Sequence, residues 1–426
     1  MPMRSMPDRL RARVATTCLA VTLAAGSCAS AAVRTWPGAA PCDTTLFACV
    51  QAAADGDIVE VASNGPIAEN IFIEGKSLVL RPAAGFAPVF EGAPSLNVIN
   101  AYGADVPVAI TIEGLTVRGG SVHASQRGSG AFGVTIRGMR VEDEDLDANR
   151  TGIRISTFGP TPTGPVNFAI VDNTIDIGFL EGDDIVAIGV DDLPGATIGT
   201  IQGNTIGAGG AGSTRGAIVL RNGSGTARFD VGRNRIVAPG YNGGLFVEQD
   251  GGGVLEARIV GNLVTGTIAV TGPQPAAIAL RASAGTLHAD VLGNTLVDNA
   301  IGFVAHAAAG ATLDGVLANT IVARSEAQGI VIGPGLAGFA NRHNLESGNG
   351  SNDFVPGPGT VHADPAFAGA ADFRLRADSP ARDAGDTALA SGIAVDLDGS
   401  PRVFGAAVDI GAWEIGDPIF SDSFEA

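Results

Sequence analysis

Lysine is almost missing from this chain: Lys76 is the only one in 426 residues. Positive charge is therefore nearly all arginine, no basic stripe forms, and the formal net charge is −18. A phosphate-backbone binder needs clustered Lys and Arg, so nucleic acid is excluded as a partner. Tryptophan and tyrosine number only two each. Little aromatic surface is then expected for stacking on sugars, and the 18 Phe are expected to stack inside the fold. Paired metal spacing is missing among the five histidines, His123, His288, His306, His343 and His362. Packing or surface roles are expected for His288 and His306. Serine-centred nucleophile elbows and phosphate-cradling glycine loops are missing too. After residue 31 no apolar run is long enough for a membrane helix, so no transmembrane segment is expected beyond that point.

What is present begins with an export signal. Arg4, Arg9, Arg11 and Arg13 precede an apolar run from Val14 to Ala25, and Ala29-Ser30-Ala31 offers a small-residue cleavage site. Cys28 leaves lipidation at that cysteine as an alternative. Cleavage near Ala31 leaves two of the four cysteines, Cys42 and Cys49, and a pair in an exported chain is expected to form a disulfide.

The dominant feature is a repeat of about 30 residues. An apolar residue stands three before a turn residue and another two after it. Asn173, Asn204, Asn234, Asn262, Asn294 and Asn319 hold the turn in the last six copies; Lys76, Leu115 and Met139 hold it in the first three. Asn tolerates left-handed backbone, and its amide can bond the Asn of the next coil, so these six are expected to form a structural ladder. Short runs of alternating apolar residues, such as Ile153/Ile155, Ile218/Leu220 and Leu245/Val247, mark strands with one face in the core. Roughly three such strands per repeat predict an all-β chain coiled into a parallel β-helix of about ten coils. An open end needs a cap, and residues 43–54, with Asp43 as N-cap, are read as a short capping helix. The expected order is a signal peptide at 1–31, an N-terminal segment with the helix at 32–57, and the β-helix at 58–340. An irregular C-terminal cap at 341–416 and a tail at 417–426 complete it.

Two stretches carry a family resemblance. Val50-Gln51-Ala52-Ala53-Ala54-Asp55-Gly56-Asp57-Ile58-Val59-Glu60-Val61 resembles the entry to secreted bacterial right-handed parallel β-helix proteins. Near the C-terminus, Asp364-Pro365, Asp372-Phe373-Arg374-Leu375, Ser379-Pro380-Ala381, Asp383-Ala384-Gly385-Asp386, Asp396-Leu397-Asp398-Gly399-Ser400-Pro401-Arg402 and Val408-Asp409-Ile410-Gly411-Ala412-Trp413-Glu414 follow in order. Together they resemble the signature of the choice-of-anchor Q group. The resemblance implies a secreted or surface β-helix protein without a settled activity. Ile419-Phe420-Ser421-Asp422-Ser423-Phe424-Glu425 is similar to a short tail on exported proteins of Gram-negative bacteria, which points to the surface or medium of such a cell.

Chemistry is harder to find. Gly182-Asp183-Asp184-Ile185-Val186-Ala187-Ile188 resembles an element of polygalacturonase-type glycosidases, where paired aspartates work as acid and base. That family's Gly-His-Gly and Arg-Ile-Lys elements are missing, and a solvated acidic turn is the plainer reading. Asp183 and Asp184 are still the catalytic candidates. Glu142-Asp143-Glu144-Asp145, stacked near Asp183 and Asp191, could hold calcium, with Asp143 and Asp145 as ligand candidates. Calcium is the one cofactor considered, and none is required. Asp396-Leu397-Asp398-Gly399 reads as a structural turn. The resulting expectation is a non-catalytic surface, adhesion or structural protein whose partners are polysaccharide or cell-surface components. A hydrolase or lyase acting on acidic polysaccharide is the alternative.

Overall fold

The computed structural model describes residues 31–416 apart from 93–96, 147–150, 159–162, 180–184, 192, 194, 208–212, 238–240, 269–275 and 352–355. The chain winds into a parallel β-helix with three long sheets of twelve, eleven and ten strands, called here A, B and C. From the strand Leu78–Pro82 to Gln328–Ile332 each coil contributes one strand to each sheet in the order A, B, C, and the named pairings between coils are parallel. Inward residues alternate with outward ones. In the sheet A strand Val108–Glu113, for example, Val108, Ile110 and Ile112 are buried. These side chains stack from coil to coil into one continuous core. Part of the phenylalanine content stacks there as expected, with ring centroids 5.9 Å apart for both Phe168–Phe229 and Phe303–Phe339.

The corner from sheet A to sheet B explains the repeat. From the strand Val108–Glu113 onward it is always two residues long. The first of the two takes positive φ in all nine corners: Gly114, Gly138, Asp172, Gly203, Arg233, Gly261, Gly293, Asn319 and His343. The second holds the ladder. Asn173, Asn204, Asn234 and Asn262 each donate from Nδ2 to Oδ1 of the next Asn, up to Asn294, at 2.9 Å. The same Oδ1 accepts the backbone N–H of the preceding coil's Asn, and each Nδ2 also donates to a carbonyl such as Ile136 O or Ile170 O. All are buried, and each amide's donors and acceptor are used, as a buried polar stack requires.

Two expectations are corrected here. The left-handed residue is the one before the ladder Asn, where glycine carries no Cβ penalty. Asn319 therefore stands outside the ladder, in the left-handed position with φ +52. Thr320 takes the ladder place beside Asn294, and Asn344 follows it.

At the N-terminal end a single α-helix, α1 (Leu46–Ala52), covers the first coil. It starts later than expected, and Thr45 rather than Asp43 is its N-cap, accepting from Ala48 N at 3.0 Å. Glu69 supplies a carboxylate to Leu46 N and Phe47 N. Lys76, the chain's single lysine, donates to Val50 O, Gln51 O and Ala53 O. An anion at the helix start and an ammonium at its end both suit the helix dipole. Cys42 and Cys49 form a disulfide beside this helix.

Residues beyond 340 continue the solenoid with the strands Phe339–Arg342, Leu345–Ser347 and Val361–His362. The chain then lies back along the outside of sheet B. Leu263, Val297, Ile321, Ala323 and Leu345 point away from the central core and build a second core with Phe373, Ala381, Leu397, Ile410, Ala412 and Trp413. The contact is specific: Ala412 N donates to Thr295 Oγ1 and Gly411 N to Asn319 O, while Asp386 N donates to Asn319 Oδ1. Inside this flank, buried Arg402 pairs with Glu414 at 3.0 Å and donates to the carbonyls of Asp409 and Gly411. Burial pushes the Glu414 carboxyl up to about 7.

Candidate functional site

Sheet B is covered over its later coils; the first half of sheet C is different. Its strands Ile71–Glu74, Asn97–Tyr102, Ser121–Gln126, Thr151–Thr157 and Val186–Val190 lie side by side. Their register aligns two outward rows. One runs Phe72, Asn100, His123, Arg154, Gly189, and the other Glu74, Tyr102, Ser125, Ser156.

Aromatic rings climb this face along the solenoid axis. Phe47 on α1 meets Phe72 at 6.4 Å, Phe72 meets Tyr102 at 6.2 Å, and Tyr102 meets the His123 ring at 6.3 Å. Arg127 lies over Tyr102, 3.2 Å from the ring centroid, and 5.1 Å from that of Phe158. Phe47, Phe72 and Phe158 are exposed by 41%, 38% and 65%. The expectation that phenylalanine stays inside the coils thus fails on this face. Three of the chain's more exposed large apolar side chains gather here, and such clustering on a surface marks a binding site.

Polar groups interleave with the rings. His123 Nε2 lies 2.7 Å from Ser156 Oγ, and its Nδ1 lies 3.3 Å from the Asn97 amide, which also bonds Ser121 Oγ at 2.6 Å. Tyr102 OH donates to Asn100 Oδ1. Arg154 pairs with Asp191, and Arg127 reaches Glu74 at 3.5 Å. Burial, followed by the nearby Arg154 and Arg127 guanidiniums, pushes His123 down to about 4, so its ring is neutral at pH 7. Burial also raises the Tyr102 hydroxyl. Ser125 Oγ is buried without a hydrogen-bond partner among the described residues.

The residues singled out from sequence fare unevenly. Asp183 and Asp184 lie outside the described residues. Asp143 and Asp145 fall in the sheet B strand Arg140–Leu146, and their side chains are likewise outside the description. Among the described residues, no group of three or more His, Cys, Asp or Glu is placed to hold a metal ion. Asp396 accepts from Asp398 N and Ser400 N, so Asp396-Leu397-Asp398-Gly399 is a turn within the sheet B flank. His288 is on the surface, paired with Asp314. His123, Ser156 and Asn97 were not visible as a group in the sequence. They are 26 and 33 residues apart, one coil each, and only the register of sheet C brings them together.

No protein-family model matches the chain, and no curated protein matches it. Among solved structures, the pectate lyase Pel9A is similar at a TM-score of 0.45 and 12% identity, over 87% of this chain and 91% of that one. An alginate lyase of polysaccharide lyase family 6 is similar at a TM-score of 0.34 and 13% identity. The latter match covers 88% of this chain and 59% of the lyase.

Proposed function

We propose that this chain is an exported surface or adhesion protein that holds an extended glycan along the first coils of sheet C. The observation that carries the reading is the track of exposed Phe47, Phe72 and Phe158 beside Arg127, Arg154 and Asp191, with buried Tyr102 packed behind Arg127. Aromatic faces bury the apolar C–H faces of sugar rings, while the charged and amide groups between them bond hydroxyls and substituents. Coils stack about 4.8 Å apart, a step comparable to one sugar unit, so a chain lying along the axis meets one coil per residue.

Affinity electrophoresis through gels containing neutral and acidic polysaccharides tests the reading. At least one polymer is expected to retard the protein, and Phe72→Ala with Phe158→Ala is expected to abolish the retardation. Retardation unchanged in that double variant overturns it. The alternative, cleavage of an acidic polysaccharide, is supported only by the Gly182–Ile188 element with Asp183 and Asp184. It is rejected if no acidic polymer is depolymerised with or without added calcium.

A further inference from the structure

We infer that Ser156, His123 and Asn97 form a nucleophilic centre that removes small acyl esters, with Ser125 donating to the oxyanion. The identity of the substrate, an O-acylated glycan, rests on the binding proposed above; the nucleophile does not. A reactive serine needs a base within hydrogen-bond reach, a group orienting that base, and a donor where charge develops. Ser156 Oγ and His123 Nε2 are 2.7 Å apart, and the Asn97 amide faces His123 Nδ1.

The sense of the Asn97 amide decides the tautomer. As placed, Asn97 Nδ2 faces His123 Nδ1 and Ser121 Oγ donates to Asn97 Oδ1; Ser121 is a hydroxyl that can accept as well as donate, so turning the amide over puts its oxygen on His123 with both contacts kept. Nδ1–H then donates to Asn97 Oδ1, and the Nε2 lone pair accepts the Ser156 proton. Ser125 is in register with Ser156 on the neighbouring strand, and its buried hydroxyl has no partner among the described residues. Ser125 is fully buried behind the surface row, so it would reach a carbonyl oxygen only once an acyl group has entered beside Ser156. Ser156 is only 5% exposed, so a short acyl group that enters between the rows fits better than a polymer backbone.

In the first step Ser156 Oγ bonds to the ester carbonyl carbon and its proton passes to His123. Negative charge develops on the carbonyl oxygen, facing Ser125 and the nearby arginines. Collapse breaks the acyl–oxygen bond, and His123 returns the proton to the departing sugar hydroxyl. Water, giving its proton to His123, then hydrolyses the acyl-serine; the products are a carboxylic acid and free Ser156.

The test is intact-mass analysis of the purified chain after treatment with a fluorophosphonate, with p-nitrophenyl acetate hydrolysis measured in parallel. One adduct is expected, located on Ser156. It should vanish in Ser156→Ala and His123→Ala and persist in Ser351→Ala, a surface control. Ser125→Ala should slow ester hydrolysis at least tenfold while leaving the fold unchanged by circular dichroism. Hydrolysis should persist at pH 5, where a serine hydrolase with an ordinary histidine loses its base. No adduct on folded protein, or an adduct that survives Ser156→Ala, overturns the inference. Glycan binding without an adduct refutes the nucleophilic centre alone, whereas an adduct without glycan binding refutes only the binding face.

Discussion

The two corners on either side of sheet B follow opposite rules. The corner entering it from sheet A has two residues in nine successive coils, one left-handed and one on the ladder. The corner leaving it toward sheet C runs from two residues, Gly119 and Gly120, to twelve, as at 266–277. The second residue of the first corner is buried in all nine coils and, from Met139 onward, bonded to the next coil, so the corner's length and residue types are tightly restricted. The second borders the face that carries the rings, Arg154 and Ser156. Fixed geometry on one side and variable length on the other leave sheet C as the place where surface chemistry can change without disturbing the coil.

The largest expected effect comes from breaking the restricted corner. Asn234→Leu removes the acceptor for Asn204 N and Nδ2 and two donated bonds, to Ile201 O and Asn262 Oδ1. Leaving several buried groups unpaired should cost about 3 kcal/mol or more, read as a lower urea midpoint at an unchanged slope. Asn319→Ala, which lies outside the ladder, should cost less, about 1 kcal/mol, and should loosen the flank near Asp386 in hydrogen exchange.

Insertions should separate the corners as clearly. Four Gly/Ser residues placed after Gly261 should prevent folding. The same insertion between the strands Leu263–Thr265 and Ile278–Ala282 should cost under about 1 kcal/mol, since lengthening so long a connection adds little closure entropy. Thermal unfolding of the two variants decides this.

A smaller, pH-dependent effect belongs to the sheet C face. His123 has its pKa depressed to about 4 in the fold, so the unfolded chain binds its proton first. The stability it contributes is present above the unfolded value near 6.5 and is lost as pH falls through about 4, up to ~3 kcal/mol. Glu346 and Glu414 are raised to about 7 by burial, and their contribution is full below about 4.5 and lost as pH rises through 7. The two trends oppose each other between pH 4.5 and 6.5. In His123→Gln the acid loss should disappear, leaving stability that rises steadily on acidification from pH 7 to pH 5 in urea titrations. A fall over that range contradicts the assignment.

The difference between the corners also explains what was legible in the sequence. Asn173 to Asn294 announce the coil because one buried site demands one residue type at each turn. Asn319 misleads by one position because the left-handed site beside the ladder accepts Asn as readily as Gly. Strands on the covered flank, Leu263–Thr265, Thr295–Val297 and Ile321–Ala323, are buried on both faces, and their continuous apolar runs hint at a second layer. Nothing comparable marks the ring-bearing face. Phe72 and Phe90 look alike in sequence, yet one is exposed and the other fully buried. Asn97, His123 and Ser156 come together through the register of strands whose connections have no common length, so no spacing could group them.

A glycan held along the first coils of sheet C is the central prediction. The most direct measurement is the dissociation constant for a retarding polysaccharide, compared between the wild-type chain, Phe72→Ala/Phe158→Ala and the control Phe86→Ala. Loss of the two rings should raise Kd about a hundredfold, roughly tenfold for each ring, with Phe86→Ala unchanged. An unchanged Kd in the double variant, or no binding to any polymer by the wild-type chain, would contradict it.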